Sequence, residues 1–173
     1  AGPAGLMAAE ALSSSGHCIA VYDGMPTVAR KFLLAGKSGL NITHSEDYSL
    51  FAGRFGAASA QLRAALDDFT PDDVRAWADG LGTETFVGSS GRVFPKAMKA
   101  SPLLRAWLAR LEARDVNILT RHRWCGFNDD SLLFETPKGR ELVRADAVLL
   151  ALGGASYARL GSDAAWVGWL RDK

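Results

Sequence analysis

Cysteine is scarce. Cys18 and Cys125 are the only two, in unrelated segments and without the C-x-x-C spacing of a redox pair or a zinc ribbon. They read as buried free thiols of a reducing compartment, with a disulfide left open by the sequence. The three histidines are scattered, so no metal-ligand set is spelled out. Charge of one sign is also missing: twenty basic residues face nineteen acidic ones, a net charge of +1. That balance leaves no electrostatic footprint for nucleic acid or for an anionic membrane as partner. The longest apolar run, "AVLLAL", is far below the ~20 residues that a bilayer-spanning helix needs. No cationic stretch followed by an apolar run leads the sequence, and a cytoplasmic location is expected. Repeats, low-complexity tracts and an interdomain linker are not visible.

What is present is 173 residues with 48% hydrophobic and 23% charged content, enough for one domain, taken as 1–173, with a sizeable core. Residues 3–15 predict an alanine-rich helix with Pro3 in its first turn and Gly16 as its stop. "CIAVYD" predicts a short buried parallel strand. Residues 24–46 have no helical or strand period and read as irregular, a length of loop that often carries function. Residues 56–69 predict a helix with Leu62, Leu66 and Phe69 on one stripe. In "TPDDVRAWADGLG", Thr70 is an N-cap, Pro71 opens the helix, and Asp72 and Asp73 suit its positive end. "TETFVGSSGRVFP" predicts a hairpin around Ser89–Gly91. "SPLLRAWLARLEARDV" predicts a helix buried along Leu104, Trp107, Leu108 and Leu111. The five tryptophans mostly fall at helical apolar positions and read as core. From Val116 the pattern turns to strands: "VNILTRHRW", "SLLFETP", a turn at Lys138-Gly139, "RELVRAD" and "AVLLALGG". The order implies α/β architecture with an antiparallel insert.

Three motifs bear on function. Gly2-Pro3-Ala4-Gly5 with Ala9 matches the later part of a G-x-G-x-x-G/A fingerprint. A glycine there admits a pyrophosphate close to the backbone, and the helix N-terminus offers free N–H groups. Gly5 and Ala9 lie on one helix face and would let it pack closely on the sheet. Asp23 follows Gly2 by 21 residues, at the end of the next strand, where an acid bonds ribose hydroxyls. The same residues also fit an unrelated glycine turn before an alanine-rich helix. In "ARKFLLAGKSGLNITH", Gly36 and Gly39 permit unusual backbone angles, and Arg30, Lys31 and Lys37 suit phosphates. Asn41 and Thr43 suit a polar ring edge, although on the residues alone a plain solvated basic loop is the better reading. In "AVLLALGGASYARLGSD", an apolar strand ending in Gly-Gly matches the ligand end of a parallel sheet, or a simple strand and turn. His44 and His122 lie near these motifs and read as hydrogen-bonding residues rather than catalysts.

Together, "GPAGLMAAEAL", "VYDGMP", "ARKFLLAGKSGLNITH", "GRVFPKAMKAS" and "AVLLALGGASYARLGSD" resemble the bacterial YhiN/BaiN-like, aminoacetone-oxidase-family FAD-dependent oxidoreductases. The likeness runs in order along nearly the whole chain. It implies a glutathione-reductase-like, Rossmann-like FAD/NAD(P)-binding domain with an antiparallel β-meander and a helical insert. It implies a flavin-dependent oxidoreductase that binds FAD, draws electrons from NAD(P)H and acts on a small-molecule substrate. By resemblance, Gly2, Pro3, Ala4 and Gly5 face the FAD pyrophosphate and Asp23 the adenosine ribose. Arg30 and Lys31 match a basic pair beside the cofactor. Gly36, Lys37, Ser38, Gly39, Asn41 and Thr43 match a loop along the flavin. Trp124 falls where such folds contact adenine through the backbone. Ala151, Gly153 and Gly154 match an Ala-Thr-Gly-Gly strand end, with Leu152 in place of Thr. Lys37 and Leu40 stand where relatives often carry Gly and Cys, and Ala164 where they carry Gly. The family pattern also includes an earlier strand and first glycine and a later β-rich domain, so the domain is expected to be incomplete at both ends. The alternatives are a non-catalytic nucleotide-binding or interaction module, and an RNA-modifying flavoprotein, against which the neutral charge balance argues.

Overall fold

The computed structural model describes residues 1–161 and 163–171. Ser162, in the "GGASYARLGS" segment, lies outside them. The chain groups into two compact units. One holds Ala1–Phe32 and the residues from Ala109 onward, and the other holds Leu33–Leu108.

The first unit starts with helix α1, Pro3–Leu12. Proline at the first helical position supplies the right φ and gives up an N–H that has no helical acceptor there. The helix is three residues shorter than its sequence pattern: Ser13 caps it and a turn runs to Gly16, at φ +74°. Leu6 and Ala9 are buried, and so is Glu10. The Glu10 carboxylate is met by Arg110 at 2.8 Å and Arg114 at 3.9 Å, as a charge removed from water requires. Strand β1, Ala20–Asp23, pairs in parallel with β5, Asn117–Thr120, with Asp23 opposite Thr120. β1 is only partly buried, not enclosed. The strand β6, Arg123–Asn128, opens an antiparallel meander with β7, Ser131–Thr136, and β8, Gly139–Val143. "VNILTRHRW" is therefore two strands, not one. Arg121 interrupts it at φ +59°. A core of Trp124, Leu132 and Phe134 fills one face of the meander. Tyr22, Trp166 and Trp169 pack against it, the latter two from helix α7, Trp166–Arg171.

"AVLLALGG" is a second departure. No residue from 147 to 154 is assigned to a strand, and Val148, Leu149 and Leu150 are 45%, 61% and 39% exposed. Apolar content alone marks a run as strand-like, but a strand needs a ladder partner, and none of the described residues provides one. Cys18 also departs from expectation: it is exposed in the approach to β1, while Cys125 is half-buried, and both are free thiols.

In the second unit, residues expected to be irregular contain order. Helix α2, Arg30–Ala35, begins in the first unit and ends here, and β2 is Thr43–His44. β2 joins β4, Arg92–Pro95, which pairs with β3, Thr85–Val87, across the Ser89–Gly91 hairpin. Helix α3 is Tyr48–Gly53, and a short 3-10 turn leads into α4, Ser59–Asp68. The α4 stripe is not core: Leu62 and Phe69 stay 37% and 40% exposed. Helix α6, Ala100–Glu112, buries Leu103, Leu104, Trp107 and Leu111, each contributing about 1.5–3 kcal/mol of hydrophobic burial. Trp77 meets Trp107 edge-to-face, with ring centroids 4.9 Å apart.

Helix α5, Pro71–Gly80, has the start its sequence predicts. The Thr70 hydroxyl accepts from the Asp73 N–H, and the Asp73 carboxylate accepts from the Thr70 N–H at 2.8 Å. The Thr70 hydroxyl and N–H hold the Asp73 carboxyl below its ordinary 3.8. A lowered carboxyl stabilises the fold above its unfolded value and loses that contribution as pH falls through the folded value. We therefore expect Asp73→Asn to lower the urea midpoint at pH 6. The gap should narrow as pH falls below 3.8 and through the lower folded value.

Candidate functional site

At the start of α1, the first helical bond runs from the Leu6 N–H to the Gly2 carbonyl at 3.0 Å. The Ala4 and Gly5 N–H groups lie ahead of that ladder. Gly2 is the N-cap and offers no side chain to satisfy them. Its φ of −83° and ψ of 179° are open to any residue. A Cβ built on it meets no atom within 4 Å. Among the described residues, neither backbone conformation nor packing requires glycine at this position. Space beside free N–H groups at a helix start suits an anion. Gly5 is different: a Cβ there would touch Ala151 at 3.5 Å, an ordinary contact. The helix thus packs beside Ala151 without needing glycine at position 5.

Asp23 ends β1, as the sequence predicts, with 17% of its side chain exposed. Oδ1 accepts from the Met25 N–H at 2.8 Å, and Oδ2 lies 3.0 Å from the Ala1 amino nitrogen. The turn after β1 therefore fixes the carboxylate, a role for Met25 that sequence reasoning missed. The signal was available, because an Asp before Gly commonly bonds the N–H two residues on. Arg30 donates to the Thr27 hydroxyl at 3.2 Å, and its Nε is buried without an acceptor among the described residues. Lys31 Nζ donates to Ser156 Oγ at 3.4 Å. Gly153 sits at φ +70°, where glycine is favoured, while Gly154 has open space around its Cα. Trp124 lies opposite Phe134 in the ladder, with its ring buried between Phe127 and Trp169.

The second unit's candidates have internal duties. A Cβ on Gly36 would lie 2.4 Å from the Ala100 Cβ and 2.9 Å from its backbone nitrogen, so this glycine lets α6 begin against it. Gly39 holds φ +128° under Met98. Lys37 and Ser38 are exposed, and Leu40 is buried core. The Asn41 amide nitrogen donates to the Thr43 carbonyl at 2.7 Å and the Val93 carbonyl at 3.2 Å, tying β2 to β4. Thr43 is buried opposite Val93. His44 receives the Glu46 N–H on Nδ1 at 3.1 Å, which leaves Nε2–H to donate to the Ser90 carbonyl at 3.0 Å. His122 places Nδ1 2.7 Å from the Thr120 carbonyl. Both histidines serve the backbone. The described residues contain no cluster of three or more metal-ligating side chains and no helix long and apolar enough to cross a membrane.

A parallel β1–β5 pair, a helix with an uncapped glycine start and an acid at the strand end define a Rossmann-type α/β domain. The chain belongs to the family described as HI0933-like protein Rossmann domain, which matches residues 1–173. Among solved structures, the THI4 protein of Thermovibrio ammonificans is similar at 15% identity and a TM-score of 0.57, over 99% of this chain and 59% of that one. BexE, whose structural study concerns oxidation during BE-7585A biosynthesis, is similar at 18% identity and a TM-score of 0.52. The match covers 92% of this chain and 31% of that one. The chain thus spans less than two thirds of either protein. No curated protein matches it.

The Gly36 contact yields a direct test. Gly36→Ala forces backbone, not a flexible side-chain tip, to yield, and should destabilise the protein by about 1–3 kcal/mol in urea unfolding.

Proposed function

We propose that the chain is the dinucleotide-binding portion of an FAD-dependent oxidoreductase. The observation that carries this is Gly2, a glycine that no contact among the described residues requires, beside two free N–H groups of α1. Membership of the Rossmann family and the fold shared with BexE support it. The first unit's residues fit the cofactor. The Ala4 and Gly5 N–H groups would hold the pyrophosphate, aided by the positive end of α1. Asp23 would accept from the ribose hydroxyls with the oxygen lone pairs that the Met25 N–H and the Ala1 nitrogen leave. Arg30 and Lys31 would add positive charge beside the cofactor. When bound, FAD supplies the hydride chemistry, with NAD(P)H as the proposed donor and a small molecule as the proposed substrate. The chain's own work is to bind, to orient and to place charge. Because the second unit's candidates have structural duties of their own, the reading rests on the first unit.

Serine is a strong N-cap, and its hydroxyl would take up the donors that the anion needs. Gly2→Ser should therefore raise the stability of the ligand-free protein by about a few tenths of a kcal/mol. The same substitution should weaken FAD binding about tenfold or more, through lost charge-assisted bonds. Melting curves and FAD fluorescence titration measure the two effects. A variant that gains stability and keeps full FAD affinity contradicts the proposal.

A further inference from the structure

Gly161 follows a 3-10 turn, Ala158–Leu160, and adopts left-handed angles, φ +86° and ψ 17°. A Cβ built on it lies 2.7 Å from Met25 Cγ and 3.1 Å from Met25 Sδ. Met25 has a fixed main chain and a flexible side chain. Its N–H donates to Asp23 Oδ1 at 2.8 Å, and its carbonyl accepts from the Arg121 N–H at 3.0 Å. Its backbone is thus pinned on both sides, and Cγ is too near the backbone to swing clear without a change of χ1. A second link, Lys31 Nζ to Ser156 Oγ, joins the same two stretches of chain. Residues after Gly153-Gly154 therefore lie against the turn that fixes the Asp23 carboxylate, and the contact requires position 161 to be bare.

We propose that Gly161 is a positioning residue for Asp23: it lets residues 155–161 pack on Met25 and so holds the carboxylate in the orientation that reads ribose hydroxyls. The proposal rests on Asp23 being the ribose-binding acid of an adenine nucleotide site. A side chain at 161 lifts the segment away from Met25, and the Asp23–Met25 turn loses the packing that holds it. The effect falls on discrimination between ribose and its deoxy form more than on phosphate binding, which belongs to α1.

Asparagine is the informative replacement, because it tolerates left-handed angles and leaves mainly the contact with Met25. The full chain is titrated calorimetrically with ADP and with 2′,3′-dideoxy-ADP. Wild type should prefer ADP about tenfold or more, the worth of hydrogen bonds to a charged acceptor. Gly161→Asn should lose most of that preference, and Gly161→Asn with Met25→Ala should regain it, since the clash partner is gone and the Met25 N–H remains. Should the single variant fail to fold by circular dichroism, the double variant carries the test: it must fold and prefer ADP. An unchanged preference in Gly161→Asn, or a folded double variant without preference, overturns the positioning role. A wild-type protein that binds both nucleotides equally overturns the ribose role of Asp23 and the inference with it. One that binds neither overturns the nucleotide reading as a whole.

Discussion

The parallel ladder of β1 on β5 is the constraint on which the first unit depends. Its four residue pairs bring Ala20–Asp23 to lie beside Asn117–Thr120, distant in sequence. Closing so long a loop costs conformational entropy before any contact is gained. The ladder is therefore extended past its last pair: the His122 N–H reaches the Asp23 carbonyl, and the Arg121 N–H reaches the Met25 carbonyl. These bonds set where β1 stops, and so where the Asp23 carboxylate is presented. They also set where the chain turns into the meander, because Arg121 takes its left-handed angle at that point.

Around this ladder, packing and electrostatics divide the work. Apolar burial comes from the meander core and from the underside of α1, where Leu6 is fully enclosed. The one strongly buried acid of α1, Glu10, is placed against Arg110 and Arg114 rather than near the helix start. The start of α1 is thus free of acidic side chains, which would compete with an anionic ligand for the same dipole. Elsewhere exposed charges pair locally, as Arg63 does with Asp67, and such pairs hold little free energy in water.

The features legible in the sequence were those fixed by neighbours along the chain. The Thr70–Asp73 cap, the Ser89–Gly91 hairpin and Pro3 at the head of α1 each rest on a local rule, and each appears in the structure. Asp23 was placed correctly because strand length and spacing determine it. Features set by distant partners were not legible. "RKFLLA" folds as a helix between two stretches that look irregular. "AVLLALGG" has the composition of a strand without a ladder neighbour. Gly36 matches a flavin-side loop by resemblance, while its close approach to Ala100 is set by a partner far along the chain and has no sequence signal. The Gly161–Met25 contact had no sequence signal, since only the folded chain brings the two together.

The N–H groups at the head of α1 are proposed to receive a dinucleotide pyrophosphate. Backbone amide shifts of the 15N-labelled chain during titration with FAD test it most directly. The largest changes should fall at Gly2, Ala4 and Gly5, with Asp23 next. Saturable FAD binding that leaves those four amides unmoved would contradict it.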